Sequence, residues 1–224
     1  SFGILHINGG VLKLDTNSRI SLSNNDAGTD NTVFGFLAGA ALASGGVENT
    51  LVGDYAGTAI TTGDYNTAIG KDALKTDDVG RNSTAIGYSA LLLQNTATEG
   101  AVNNTGVGIN VAAYNVTGTN NTWIGANAGL GASGQSNSNN TGVGKDALLA
   151  ITTGGSNVAI GNDSAASITD GHNNVAIGNN ALEAAASVGY SGAIGNDAMV
   201  NGNATAAADG TIAIGASAGA ALVS

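Results

Sequence analysis

A nine-residue stretch recurs through this chain at a nearly constant interval, and no other feature constrains the fold as strongly. The clearest copies begin at Asn66, Asn157 and Asn174, and the second of these reads Asn-Val-Ala-Ile-Gly-Asn-Asp-Ser-Ala. Every copy carries a glycine, and successive glycines are 17 to 21 residues apart. The eleven repeat glycines are Gly35, Gly53, Gly70, Gly87, Gly108, Gly125, Gly144, Gly161, Gly178, Gly195 and Gly215. This periodicity predicts a solenoid in which each repeat forms one coil stacked on the last.

The residues before each repeat glycine alternate between large and small side chains. The residue directly before it is always large and apolar, the residue two positions earlier is Thr in seven copies, and Ala or Gly usually stands between them. Alternation rich in β-branched residues predicts a short strand with two distinct faces. We interpret the bulky face as the interior of the coil. Its predicted core residues are Val52, Ile69, Ile86, Val107, Ile124, Val143, Ile160, Ile177, Ile194 and Ile214.

The small residues of these strands predict a flat apolar stripe on the outside of the solenoid. A stripe of this length should not stay exposed on a soluble monomer, and a coil of about 17 residues encloses little interior of its own. We therefore expect the stripe to contact other copies of the chain. Trp123 is the largest residue on this face, which also carries Leu51 and Val33. It has two interpretations, a ligand-contacting aromatic and a plug for a wider place between chains, and the plug is favoured because no aromatic neighbour shares its offset. The candidate contact residues are Ala68, Ala85, Trp123, Ala159, Ala176, Ala193 and Ala213.

Two further repeat positions have a physical interpretation. Asn stands four residues before the glycine in eight copies, and stacked coils about 4.8 Å apart would align these amides in a ladder. The repeat glycine suits a backbone position with positive φ or a close approach between coils. The remainder of each period is expected to form a second strand and a second bend. Together these features predict a flattened parallel β-roll.

The repeats resemble the head repeats of trimeric autotransporter adhesins and related repeats of bacteriophage tail fibres. The resemblance rests on the pattern Asn-x-Val-Ala-Ile-Gly and covers roughly residues 31 to 219. It implies an all-β, left-handed parallel β-roll solenoid of about eleven coils, with three chains around one axis. The chain departs from the adhesin heads in its longer coils and in the frequent replacement of Val by Thr.

The chain divides into two predicted regions. Residues 1–30 lack the repeat and are expected to form a lead-in of short strands over 3–7, 11–15 and 19–23, whereas residues 31–224 form the repeat domain. The segment 14–23 looks similar to lead-in segments of phage structural fibres, which favours a virion fibre over a bacterial surface protein. Because the chain starts without Met and stops half a coil after its last repeat glycine, we expect a fragment or a processed form.

Composition excludes several classes of protein. The formal net charge is −10, with 6 basic and 16 acidic residues, which argues against binding to nucleic acid or to anionic membranes. Cysteine is absent, so no disulfide framework is expected. No apolar run approaches the length of about 20 residues that a membrane span requires. We expect an extracellular location, on a virion or on a bacterial cell surface.

Candidate chemical groups are few, and no enzymatic activity, cofactor or metal is expected. The two histidines, His6 and His172, have no nucleophile or carboxylate at a repeated offset beside them. Stacked acids could recruit a cation, but their row is interrupted by Asn and Ser and two of its members have a neighbouring lysine. We interpret them as solvated bend residues. They share an offset of two residues after the repeat glycine: Asp72, Asp146, Asp163 and Asp197.

The leading hypothesis is a non-enzymatic homotrimeric fibre segment that presents or forms a host-attachment surface, with a host-cell receptor or glycan as partner. A second hypothesis is direct binding of glycan or protein through the outer bends, where three periods are stretched, over 91–103, 130–139 and 200–210. Neutral tolerance of loop length also explains these insertions. A third hypothesis, an ice-binding solenoid, rests on the recurrent Thr.

Overall fold

A computed structural model of the chain describes residues 28–96, 99–184, 186–200 and 209–220. Within these ranges the regular structure consists of short strands without helices. The strands predicted at residues 3–23 lie outside the described ranges. In chain order the strands are β1 (Thr32–Phe34), β2 (Thr50–Val52), β3 (Thr67–Ile69), β4 (Gly80–Arg81), β5 (Thr84–Ile86), β6 (Gly100–Ala101), β7 (Thr105–Val107), β8 (Thr122–Ile124), β9 (Thr141–Val143), β10 (Val158–Ile160), β11 (Val175–Ile177), β12 (Gly192–Ile194) and β13 (Ile212–Ile214).

Eleven of these strands form one parallel sheet in chain order, and β4 pairs separately with β6. Each coil contributes one three-residue strand to the large sheet, and we call this strand a rung. Neighbouring rungs pair in register, so that Ala159 lies between Gly142 and Ala176. Because paired strands stand about 4.8 Å apart, eleven rungs extend over roughly 50 Å. The predicted all-β parallel solenoid is confirmed.

The second strand predicted for each coil is absent from most of the described coils. Outside the large sheet, strand pairing among the described residues is limited to β4 with β6 and two isolated bridges. The backbone turns there because residues two and four positions after the repeat glycine have positive φ, as at Asp163 (53°) and Ala165 (52°). Coils still exchange backbone hydrogen bonds, such as Ala165 N to Ala181 O at 2.8 Å. Most of the described coils are therefore one strand closed by turns.

The repeat glycine meets both requirements predicted for it. Gly161 has a φ of 137°, in a region that side-chain-bearing residues rarely adopt. A Cβ atom added there would lie 2.3 Å from the carbonyl oxygen of Gly178 in the next coil. Stacking at the spacing of a parallel sheet thus leaves no room for a side chain at this corner, which explains why the glycine recurs in every copy.

The two faces of the rungs are the reverse of the prediction. The small central residues are buried inside the coils, whereas Ile69 is 37% and Ile160 40% exposed on the outside. The predicted outward stripe therefore lies inside: Ala68, Ala85, Trp123, Ala159, Ala176, Ala193 and Ala213. The predicted core residues lie on the outer side, half-buried or exposed: Val52, Ile69, Ile86, Val107, Ile124, Val143, Ile160, Ile177, Ile194 and Ile214.

The reversal has a simple packing reason. The residue four positions after the repeat glycine also points into the coil, and it is a buried leucine in four coils: Leu74, Leu91, Leu148 and Leu182. A narrow coil cannot hold a second large side chain at the same level, so the rung supplies a small one. Where the rung residue is large, the opposite position is glycine: a Cβ at Gly57 would lie 2.6 Å from Leu51 Cδ2, and one at Gly129 2.5 Å from Trp123 Cδ2.

The predicted asparagine ladder is confirmed and runs inside the coils. Asn157 Nδ2 donates to Asn140 Oδ1 at 3.1 Å, and the backbone N–H of Asn174 donates to Asn157 Oδ1 at 3.0 Å. Asn157 Nδ2 also donates to the carbonyl of Gly171 at 2.9 Å. Each buried amide therefore bonds to the neighbouring coils on both sides, which offsets the cost of removing it from water.

Candidate functional site

The outer face of the eleven-stranded sheet is a continuous surface that runs through all eleven rungs. We define the Thr column as the residue three positions before each repeat glycine, and the Ile column as the residue directly before it. Neither column contains a charged residue. The Thr column consists of Thr32, Thr50, Thr67, Thr84, Thr105, Thr122, Thr141, Val158, Val175, Gly192 and Ile212. The Ile column consists of Phe34, Val52, Ile69, Ile86, Val107, Ile124, Val143, Ile160, Ile177, Ile194 and Ile214.

The outer sheet face is large enough to be a candidate interface. Its two columns stand about 7 Å apart along the strands and run for roughly 50 Å, so the face covers on the order of 500 Å² with its side chains. Residues in the middle of the face remain partly accessible, with Ile124 42% and Val175 37% exposed. Contiguous apolar patches of a few hundred Å² are often functional, and the Ile column supplies the apolar part of this face.

The hydroxyl groups of the Thr column have no hydrogen-bond partner among the described residues. Threonines of the bends behave differently, since Thr58 Oγ1 donates to the Tyr55 carbonyl at 2.8 Å and Thr152 Oγ1 to the Thr169 carbonyl at 2.9 Å. Seven outward hydroxyls are thus left for water or for another molecule. The sequence pattern predicts the threonines in the coil interior, on the same face as the large residues, so this outward row was not expected.

A group of exposed aromatic side chains borders the outer sheet face in the first coils. Phe36 is 66% and Tyr88 49% exposed, each directly after a repeat glycine. The rings of Phe36 and Tyr55 meet edge to face at 5.6 Å, and Lys75 Nζ lies 4.9 Å from the centre of the Tyr55 ring. The same position in later coils is Lys145, Asn162, Asn179 and Asn196. The aromatic rim is therefore confined to one end of the solenoid.

The acids two residues after the repeat glycine lie in the bends, where the backbone has positive φ. Asp72, Asp146, Asp163 and Asp197 all have φ between 53° and 58°, a left-handed conformation that Asp and Asn tolerate better than most residues. Asn180 Nδ2 donates to Asp197 Oδ1 at 2.8 Å, and Lys75 pairs with Asp72 at 2.8 Å. The expectation of solvated residues is wrong for Asp72 and Asp146, which are largely buried.

The other candidates from the sequence do not assemble into a reactive site. Across the described ranges, no three His, Cys, Asp or Glu side chains come close enough to share a metal ion. His172 is exposed, and its ring contacts that of Tyr190 at 5.3 Å. His6 lies outside the described residues. None of the described residues forms a helix with the length and hydropathy that crossing a membrane requires.

A buried polar cluster replaces the missing amide at Ser83, which stands between Asn66 and Asn104 in the asparagine ladder. Gln94 Nε2 donates to Ser83 Oγ at 3.0 Å and to Asp77 Oδ2 at 2.6 Å, while Asn104 Nδ2 donates to Gln94 Oε1 at 3.0 Å. The amide of Gln94 thus bridges the gap left by the short side chain of Ser83. Burial raises the pKa of Asp77, against the opposing effect of hydrogen bonds from Gln94 and from the Gly80 and Thr96 backbones.

Asp77 should make the solenoid less stable as the pH rises. A raised pKa means that the folded chain holds the proton more tightly than the unfolded chain, so stability falls between the ordinary carboxyl pKa and the raised one. Asp77→Asn should remove this fall, so the stability of the variant relative to the parent should increase with pH across that window. Chemical denaturation from acid to neutral pH measures it, with Asp163→Asn as control. Parallel curves for Asp77→Asn and the parent would contradict the assignment.

Comparison of the chain with protein-family models, curated proteins and solved structures found no match. The class that the structure defines is a parallel β-solenoid with an interior of small and leucine side chains and an uncharged outer sheet face.

Proposed function

We propose that this chain is a non-enzymatic, homotrimeric fibre segment of a phage tail fibre or bacterial surface adhesin, placed outside the cell, which presents or forms a host-attachment surface. The observation that carries the proposal is the outer sheet face, which continues without a charge through eleven rungs. The resemblance of the repeats to adhesin heads and tail-fibre repeats supplies the number three and the setting.

A second copy of the chain is the occupant that fits this face best. The face is built from one repeated unit, so a copy in register offers the same spacing of rungs over the whole length. Contacts in a closed three-fold ring are heterologous, which means that a surface meets a different surface on its neighbour. Two adjacent columns meet this requirement if the Ile column of one protomer packs against the Thr column of the next.

Direct binding through the bends is the second candidate, and the aromatic rim favours it. Exposed rings such as Phe36 and Tyr88 are suited to stacking on apolar faces of a ligand, with Asp54 and Lys71 between them as polar partners at 3.2 Å from each other. The test is the double variant Phe36→Ala with Tyr88→Ala. If its trimer still attaches to host cells, the aromatic rim is not the binding site and the segment acts as a spacer. Loss of attachment with an intact trimer would support the rim as the binding site.

Ice binding makes a different demand on the same surface. It requires the Thr column to face water in the assembled protein, and the outward position of the threonines is the observation in its favour. A trimer that covers the outer sheet face would remove this hypothesis.

Cysteine cross-linking tests the trimer because the chain has no cysteine of its own. The double variant Val158→Cys with Ile160→Cys places one thiol in each column, so heterologous packing should close three disulfides into a covalent trimer. Val158→Cys alone is the control: it faces Ile160 of the neighbouring protomer, which offers no thiol, so it should give no covalent trimer. Without oxidation, sedimentation should give three times the chain mass of 21.6 kDa. A folded monomer at micromolar concentration, or covalent dimers only from the double variant, would overturn the proposal.

A further inference from the structure

We infer that the outer sheet face is divided along its length, and that the trimer is held by a dry section at one end while water remains between the protomers in the rest. The inference rests on the proposed homotrimer. We define the hydrated section as the seven rungs β1, β2, β3, β5, β7, β8 and β9. The dry section is the four rungs from β10 to β13.

The division follows the composition of the Thr column. In the hydrated section all seven members of this column are threonine, whereas the dry section has Val158, Val175, Gly192 and Ile212. The Ile column stays large and apolar in both sections. The change at residue 158 therefore replaces a hydroxyl by a methyl group at each of two successive rungs, with little change in the shape of the side chain.

The hydroxyls of the hydrated section cannot be covered without cost. They have no partner within the described chain, and heterologous packing sets them against the Ile column of the neighbouring protomer, whose side chains offer no acceptor. A hydroxyl buried without a hydrogen bond loses its interaction with water and gains nothing in return. Seven such groups in each of three chains would oppose assembly along the whole section, so water must stay in contact with them.

The dry section has no such obstacle. Val158 and Val175 pair in register, and Ile160 and Ile177 stand beside them in the Ile column. All four side chains are partly or largely accessible in the single chain, so contact with a neighbouring protomer can bury them with a favourable hydrophobic contribution. The strongest contacts between protomers are therefore expected from residue 158 onwards.

Thiol labelling of single-cysteine variants maps the two sections in the assembled protein. Thr84→Cys and Thr122→Cys report on the hydrated section, Val158→Cys and Val175→Cys on the dry section. Thr84, Thr122 and Val158 are all half-buried in the single chain, so their intrinsic accessibility is matched. A small charged thiol reagent should label the first pair at least about tenfold faster, a difference that corresponds to about 1.4 kcal/mol.

The labelling rates of the four variants test the hydrated section and the dry section separately. Equal protection of all four thiols in a trimer would overturn the hydrated section, and equal rapid labelling in a trimer would overturn the dry section; both leave the trimer itself intact. A monomeric mass would instead refute the proposed function together with this inference.

A pair of matched substitutions tests where the trimer is held. Val158→Thr with Val175→Thr should raise the concentration at which the trimer dissociates by about tenfold or more, equivalent to about 1.4 kcal/mol. Thr122→Val with Thr141→Val exchanges the same two side chains in the other direction and should leave that concentration unchanged or lower it. If Val158→Thr with Val175→Thr left the dissociation concentration of the trimer unchanged while circular dichroism showed folded chains, the inference would be contradicted.

Discussion

Replacing Ala176 with Asp should unfold the solenoid, whereas replacing its neighbour Ile177 with Asp should leave each chain folded and prevent assembly. Ala176 is fully buried between Ala159 and Ala193, so the new carboxylate would be enclosed among apolar side chains without a partner. A buried unpaired charge belongs to the small group of changes that cost about 4 kcal/mol or more. Ile177 lies on the outer sheet face, where a carboxylate keeps contact with water in the single chain.

The two variants separate folding from assembly because the altered residues are adjacent and the introduced group is identical. Circular dichroism with thermal unfolding reports the fold, and sedimentation reports the mass. Ile160→Asp is a second outer-face variant and should behave like Ile177→Asp. If Ile177→Asp unfolded the chain while Ala176→Asp did not, the coil interior would have to lie on the other face of the rungs.

The sequence was sufficient to predict the parts of the fold that depend on the period. Repeat glycines, in-register parallel rungs and the asparagine ladder follow from the recurrence of one residue type at one position, because stacking brings equivalent residues together. Gly161 and Asn157 show this directly, since both act on their counterparts in the neighbouring coils.

The assignment of the interior was wrong because alternation shows that a strand has two faces without showing which one is enclosed. A bulky side chain does not mark the interior, because a narrow coil receives its large side chains from the bend opposite. The sequence contained a usable signal: glycine stands six residues after Leu51 and after Trp123, where leucine follows Ala68, Ala85, Gly142 and Ala176. Opposite changes in size at a fixed separation indicate two residues that share one space.

The bends and the candidate site were harder to predict for a different reason. Left-handed backbone residues replace the expected second strand, and at one of these positions they include Leu148 (φ 52°) and Leu182 (φ 55°), which have no sequence signature for such a conformation. The predicted apolar stripe and the observed outer sheet face also differ in chemistry. Because the small residues fill the interior, threonine hydroxyls lie on the surface. The proposed trimer interface is therefore a face of mixed polarity.

Replacing Trp123 with Ala should destabilise the solenoid strongly, and adding Gly129→Leu should restore a large part of the loss. Trp123 is fully buried, and glycines surround its ring: a Cβ at Gly129 or at Gly142 would lie 2.5 Å from its atoms. Truncating a buried tryptophan to alanine costs about 3–5 kcal/mol. Gly129→Leu alone should also destabilise, because the leucine would collide with the indole.

The double variant recreates the pair that other coils already use, an alanine in the rung and a leucine opposite, as at Ala68 and Leu74. Leu74 has a φ of 49°, close to the 60° of Gly129, so the backbone can accept leucine at this position. A double-mutant cycle from denaturant unfolding should give a favourable coupling of about 1–3 kcal/mol between the two substitutions. Gly129→Ala in the Trp123→Ala background is the control, because it carries the same loss of glycine without filling the cavity. Additive effects of the two substitutions would mean that the residues do not compete for one space, and the packing rule derived for the whole solenoid would fail with them.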